Sequence, residues 1–469
     1  MTSSHSSSHG TALCARARAS SDRECDDDDA FVAPSLYLST TYARDVEHAL
    51  PRVRGFARCY ARDDDPTQDL PQRAIATLER GAACALFASG MAAMSATIEA
   101  SVEANDRVLW PRRGYFATRA RAEALCARLG GEFILYDGDS PKEEFEDTQI
   151  TTRNECALER MEIATSETLE AALRSSEGRT IGLVWIESPA NPTWDVMDVS
   201  RAVEAAKARG VRCVCVDSTV FTPICSKPLT FGADLVMHSA SKYLNGHSDV
   251  LAGALVTNDE KSELWRKIKN ERKLGGAVLG AFEAYLLMRG LRTLELRVRH
   301  QSDSASWLAR ELQVAMSDCC IVLYPGLQSH PQYETAKKMC PDGYFGGMLS
   351  IVITNVSNRV DHGGIPDIER LIQSPKYIAE FCRHMATRSA PWTCATSLGG
   401  FESLIEHRYS VEYSKPRFDA KTGHLEPHVP VGLLRLSVGL EDKRDLLEGL
   451  VAGFQSAIQR VHVDMSAYS

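Results

Sequence analysis

The 469-residue chain is 44% hydrophobic and 25% charged, and its 62 acidic against 53 basic residues give a formal net charge of −9. These fractions exclude a wholly disordered or fibrous chain, and the acidic balance argues against a general nucleic-acid binder, which carries a basic stripe. No run approaches the ~18 consecutive apolar residues of a membrane helix, so a soluble, cytoplasmic protein of two or three domains is expected, at roughly 100–200 residues each.

Residues 1–29 are Ser/His-rich, then basic, then end in four Asp. Little there can pack, so a disordered tail is expected. Its first 21 residues lack acids and hold Ser and Arg, which leaves organellar targeting open. Residues 30–70 form an arm before an alternating pattern begins. ACALF (83–87) is a short apolar run followed by Ser89-Gly90 and a helix-forming Ala/Met stretch. RVLW (107–110) and EFILY (132–136) bracket a helical segment ending at Gly130-Gly131. An acidic insertion without period, 137–163, interrupts the rhythm. TIGLVWI (180–186) leads to a loop, and Asp198 caps a helix that stops at Gly210. VRCVCV (211–216) and ADLVMHS (233–239) complete the set. Near-continuous apolar strands separated by helices predict a parallel sheet covered on both faces, over 71–299. From 300 to 469, a charged helix and the strands in YPGL, FGGMLSIVI and LLRLSVG predict a smaller α+β domain with a mixed sheet.

The 14 cysteines contain no CxxC pair. Scattered through predicted strands and helices, as at Cys84, Cys213, Cys215 and Cys382, they read as reduced core residues.

In open parallel sheets, ligands bind beyond the carboxyl ends of the strands. There the chain places Ser89-Gly90-Met91 at a helix N-terminus suited to phosphate. The other strands end in Glu187-Ser188-Pro189-Ala190-Asn191-Pro192, in Asp217-Ser218-Thr219, and in His238-Ser239-Ala240-Ser241-Lys242. Neither a G-x-G-x-x-G nor a Walker turn stands at a strand end. A lysine, an acid and a phosphate cradle are what pyridoxal phosphate requires: a Schiff-base amine, a partner for the ring nitrogen and dipoles for the phosphate.

HSASKYLNGHSD (238–249) carries a sharper signal, and the chain here resembles the Cys/Met-metabolism, or trans-sulfuration, family of pyridoxal-phosphate enzymes. ALFASGMAA (85–93), ESPANPT (187–193), VDSTVFTP (216–223), LLMRGLRTL (286–294), FGGMLS (345–350), SLGGFESL (397–404) and LLRLSVGLED (433–442) match in order. The likeness runs from about Pro34 to Leu450. It implies a fold-type-I α/β enzyme with a mostly parallel large domain and an α+β C-terminal domain.

Carried over by position, the resemblance implies that Lys242 is the Schiff-base lysine and proton shuttle, and that Asp217 pairs with the ring nitrogen. Ser239, Ser241, Gly90 and Met91 would bind the phosphate. Tyr115 would stack on the ring and assist proton transfer, and Asn191 would meet the ring hydroxyl and substrate. Arg435 would clamp the substrate α-carboxylate, and Ser397 would help position the lysine and the carboxylate. Tyr60 and Arg62 match a Y-x-R motif that reaches the phosphate of a neighbouring subunit, so a homotetramer built from active dimers is implied. No metal is expected: His238 and His247 read as structural.

Three positions depart from the family's pattern. Phe116-Ala117 replace two glycines after Tyr115, Asp65 replaces an Asn before Pro66-Thr67, and Thr396 stands where cystathionine γ-lyases and γ-synthases have Glu. The implied activity is γ-elimination or γ-replacement on a sulfur amino acid or homoserine derivative, of the cystathionine γ-lyase or γ-synthase type. Alternatives are cystathionine β-lyase, methionine γ-lyase or a homoserine-ester sulfhydrylase. A non-catalytic binding relative is disfavoured by the intact Lys242, Asp217 and Arg435. At position 396, a Thr396→Glu substitution would be expected to restore a charge for the distal amino group of cystathionine.

Overall fold

The structure, a computed structural model, describes residues 33–53, 55–136, 165–176, 178–354, 356, 374–412 and 429–466. The tail 1–29 and the acidic insertion 137–163 lie outside the described residues. The arm carries a small hairpin, β1 (Arg52–Val53) and β2 (Phe56–Ala57).

A seven-stranded sheet follows. Its strands are β3 (Ala83–Phe87), β4 (Arg107–Trp110), β5 (Glu132–Leu135), β6 (Ile181–Glu187), β7 (Cys213–Asp217), β8 (Leu235–His238) and β9 (Gly253–Thr257). Their spatial order is β3-β9-β8-β7-β6-β4-β5. Six run parallel, as the apolar runs predict. β9 departs from that expectation, lying antiparallel between β3 and β8. An apolar run carries no direction, so VLAGALV could not reveal this. The central strands bury both faces. Val214 and Val216 join one core with Val184 and Ile186, while Cys213 and Cys215 join the other with Leu183 and Trp185. That division is the period-2 alternation of a strand covered on both sides. Trp110 and Trp185 stack with centroids 4.6 Å apart in this second core.

The helices begin where side chains satisfy their first N–H groups. Asp198 accepts from the Arg201 N–H ahead of Val199–Ala208, and Ser262 from Trp265 ahead of Glu263–Gly275. The eleven described cysteines are free thiols, mostly buried; Cys84 is only partly covered. Among the described residues, no helix is long and apolar enough to cross a membrane.

The second sheet contains β10 (Cys320–Leu323), β11 (Met348–Ile353), β12 (Thr393–Cys394), β13 (Leu404–His407) and β14 (Leu433–Ser437). Its order is β10-β11-β14-β13-β12, antiparallel except for β12–β13. The helix Leu294–Ala315 belongs to both cores: Leu294 and Val298 pack beneath the large sheet, Ala305, Leu308 and Leu312 beneath the small one. The change of region expected near residue 300 therefore falls inside a continuous helix. Trp194 adds a link between the sheets. Its Nε1 donates to Ser350 Oγ on β11 at 2.8 Å, and that hydroxyl donates to the Pro192 carbonyl at 2.9 Å.

Candidate active site

The six parallel strands end on one edge. After β3, the Ser89 side chain accepts from the Ala92 N–H at 3.1 Å and starts the helix Gly90–Ser101. β9 begins against this turn, where a Cβ on Gly253 would lie 2.2 Å from the Ser89 carbonyl oxygen, so only glycine admits the approach. Gly90 packs on Ser239, its nearest neighbour 3.0 Å from where a Cβ would stand. The Ser239 N–H donates to Thr219 Oγ1 at 2.8 Å, and that hydroxyl donates to Asp217 Oδ1 at 2.6 Å. The Thr219 N–H donates to the same carboxylate oxygen at 3.0 Å. Thr219 thus ties the end of β7 to the turn after β8. Ser241 exchanges hydrogen bonds with the Ala252 backbone, donating to its carbonyl and accepting from its N–H, which fixes the next turn to the approach of β9.

Asp217 lies directly across from Glu187 in the β6–β7 register. Both are buried. Burial raises the Asp217 carboxyl above its usual range, against the two bonds from Thr219. Burial and the charge of Asp217 push Glu187 up to about 8. This occurs although Glu187 accepts the N–H of Tyr115 at 2.8 Å and of Asn191 at 2.9 Å.

Opposite this edge, the small sheet contributes an ionic ladder. Lys242 Nζ donates to Ser397 Oγ at 3.0 Å. Burial, then the nearby Arg435 guanidinium, lowers the lysine pKa. Arg435 is buried on β14 and faces Glu406 across the β13–β14 pair. Its Nη2 donates to the Ser397 carbonyl at 2.8 Å and to Glu406 Oε2 at 2.7 Å, and its Nη1 to Asn191 Oδ1 at 3.3 Å. Burial, with Arg408 beside it, brings Arg435 down to about 10. Glu406 accepts two further bonds, from Arg408 Nη1 at 2.8 Å and from Thr396 Oγ1 at 2.6 Å. Burial opposes its charge, but the two guanidinium groups outweigh that and hold Glu406 below the usual carboxylate range. Arg408 continues to Glu412 at 2.7 Å and lies 6.0 Å from the Phe116 ring centre.

The fold therefore brings Ser89-Gly90-Met91, Asn191, Asp217, Ser239, Ser241, Lys242, Thr396, Ser397 and Arg435 to the facing edges of two sheets. Tyr115 stands just before the helix Phe116–Arg128, partly exposed, its ring edge-on to Phe116 at 5.2 Å. Tyr60 and Arg62 are exposed on the arm, with the guanidinium 5.6 Å from the tyrosine ring centre. His238 is buried against Glu79 at 2.6 Å. Among the described residues, no group of three or more His, Cys, Asp or Glu side chains could hold a metal. Sequence reasoning assigned no role to Glu187, Thr219, Glu406 or Arg408. The first two adjoin residues that it did choose; the last two are visible only once β13 is paired with β14.

A model of the "Cys/Met metabolism PLP-dependent enzyme" family matches residues 16–153 and 145–455. The chain belongs to this family. It is 34% identical to a cystathionine gamma-synthase of Mycobacterium tuberculosis, over 88% of this chain and 90% of that one. It is 32% identical to a cystathionine beta-lyase of Coxiella burnetii, over 90% and 92%. The L-methionine gamma-lyase of Treponema denticola is 31% identical, over 89% and 91%. Among solved structures, cystathionine gamma synthase from Xanthomonas oryzae pv. oryzae in complex with cystathionine matches with a TM-score of 0.72 and 30% identity, covering 96% and 98%. As a member of this Cys/Met metabolism family, the chain is a pyridoxal-phosphate-dependent enzyme with a fold-type-I architecture. The site fits that cofactor: a helix N-terminus closed by Gly253, a buried acid with one oxygen free of hydrogen bonds among the described residues, and a lysine within the same edge.

Proposed function

We propose that the enzyme catalyses γ-elimination or γ-replacement on a sulfur amino acid or homoserine derivative, cystathionine first among them. The observation that carries this reading is the alignment of Lys242, Ser397 and Arg435: one serine accepts from the amine through its hydroxyl and from the guanidinium through its carbonyl. An amino acid whose carboxylate lies on Arg435 would present its α-carbon toward Lys242.

Ser239, Ser241 and the N–H groups of Gly90 and Met91 would hold the phosphate of pyridoxal phosphate, Asp217 its ring nitrogen and Asn191 its ring hydroxyl. When bound, the cofactor supplies an electron sink conjugated to the substrate α-carbon. The lowered pKa of Lys242 favours a neutral amine able to take the α-proton and return it. Ser397 steers that amine. Arg435 orients the carboxylate through a fork already braced by Glu406. Tyr115 would cover the ring and assist proton movement. Loss of a β-proton then lets the γ-leaving group depart with a proton; hydrolysis of the unsaturated amino acid left behind consumes one water and gives 2-oxobutanoate and ammonia, whereas addition of a thiol at Cγ gives the replacement product. The β-lyase reading, in which pyruvate forms instead, shares these first residues and is favoured by the 32% identity to a cystathionine beta-lyase. The exposed Tyr60 and Arg62 suit a role at a neighbouring subunit's phosphate, and with it a homotetramer of active dimers acting in the cytoplasm.

The test is incubation of the cofactor-loaded protein with cystathionine and identification of the keto acid by mass spectrometry, with Lys242→Ala as control. 2-Oxobutanoate is expected; pyruvate would move the assignment to β-elimination. With neither, homoserine esters and a thiol are the next substrates, and failure there as well would overturn the reading.

A further inference from the structure

We propose that Glu187 is a positioning residue of this enzyme, clamping Tyr115 and Asn191 in register with Asp217 and tuning the charge around the cofactor ring. The inference rests on the reading above that those three residues surround the ring. Three observations carry it.

Each Glu187 oxygen accepts one backbone N–H, and the two donors come from different loops: Oε2 takes Tyr115 after β4, and Oε1 takes Asn191 after β6. One carboxylate therefore fixes the separation of two residues 76 positions apart in the chain. The loop before Tyr115 is shaped to the clamp. Gly114 has φ +146°, and a Cβ there would lie 2.6 Å from Glu187 Oε2, so the turn closes on the carboxylate only with glycine at this position. Glu187 and Asp217 are strand partners, buried together. Glu187 therefore faces Asp217 from β7, Glu412 from the helix Arg408–Glu412, and the two N–H donors from the loops.

The consequence is electrostatic as well as geometric. Two adjacent buried carboxylates do not ionise independently. Once ionised, above about pH 8, Glu187 adds a second negative charge beside Asp217 and favours the protonated, positively charged form of a bound ring. Removing it weakens that preference and releases the loops that carry Tyr115 and Asn191.

Glu187→Gln keeps one carbonyl acceptor but turns an amide NH2 toward the other N–H. Gly114→Ala displaces the Tyr115 turn without removing any titratable group. Two readouts separate the roles. The first needs no substrate: the pH midpoint of the visible absorbance of the cofactor-loaded protein. Glu187→Gln should lower it by about half a unit or more, and Gly114→Ala, which shifts the carboxylate but keeps it, should lower it less. The second is kcat on whichever substrate wild type turns over, expected to fall about 30-fold or more in both variants with KM changed less than about threefold. A Glu187→Gln midpoint equal to wild type overturns the electrostatic role and with it the proposal, even if kcat falls. A wild-type kcat in Gly114→Ala overturns the clamp. Because the absorbance readout requires no turnover, a shifted midpoint in a protein inactive on cystathionine would sustain this inference while the assignment of substrate failed.

Discussion

Substituting Thr396 by Glu tests whether this pocket accepts the charge that its relatives' pattern would place there. Motif comparison alone favours a gain on cystathionine. The structure points the other way, because the Thr396 hydroxyl is already bound to Glu406 at 2.6 Å. Replacing it removes a hydrogen bond to a charged acceptor, about 1.5–3 kcal/mol. It also sets a second carboxylate beside the first, which at ~4 Å and an effective dielectric of ~20 is worth roughly 4 kcal/mol of repulsion. Two guanidinium groups on Glu406 offset part of that. Thr396 is exposed, so the new side chain can also swing toward water. A net penalty of about 1–2 kcal/mol remains, borne by the Glu406–Arg435 contact, and corresponds to roughly 5–30-fold in kcat/KM. Steady-state assays on cystathionine and on methionine should show a loss of that size on whichever is turned over, mostly in KM, with no selective gain on cystathionine. A rise in kcat/KM on cystathionine with methionine unchanged would refute the reasoning, since Glu406 would then be indifferent to its neighbour.

Three further outcomes follow from burial and close approach. Glu79→Ala removes one partner of a pair whose members are 0% and 1% exposed. Global stability by urea unfolding should fall by about 1–3 kcal/mol, the usual cost of leaving a buried polar group, here the His238 imidazole, without its hydrogen-bond partner. Gly253→Ala drives a Cβ into the Ser89 carbonyl, and equilibrium dialysis should show pyridoxal phosphate affinity reduced by about tenfold or more, on the order of the cost of overpacking. Glu187 has a folded-state pKa raised to about 8 from 4.5. The folded state then binds the extra proton, so this group's stabilising contribution is complete below its unfolded pKa and is lost as pH rises through about 8. The cofactor-free protein should melt at progressively lower temperature from pH 5 to pH 9, and Glu187→Gln should flatten that slope; an equal slope in both would contradict the assignment of the proton.

What could be read from the chain was whatever is local. ACALF, TIGLVWI and VRCVCV declare buried strands by composition, and the residues after them reach one edge because parallel strands all end there. Asp198 announces its helix through its own cap. Non-local features stayed hidden. The antiparallel direction of β9, the helix shared between two cores, and the pairing of Glu406 with Arg435 depend on which distant segments become neighbours. Arg435 was found through its motif, yet its burial was not evident, because a period-2 strand with one arginine equally describes a solvated face.

The same contrast explains how the site is divided. The large sheet contributes the groups suited to a cofactor, each at a strand end and each close in sequence to a motif. The small sheet contributes an arginine whose orientation depends on Glu406, Arg408 and Glu412, none of which is needed to recognise the family. The two halves meet through Lys242 on Ser397, Asn191 on Arg435, and Trp194 and Pro192 on Ser350. Residues that hold the cofactor can therefore be kept while the ladder beside Arg435 changes. In the proposed reaction that ladder borders the substrate's carboxylate, where the fate of a shared first step would be decided. Arg408 and Glu406 are thus the positions at which this enzyme's selectivity should be sought, ahead of the residues proposed to hold the cofactor.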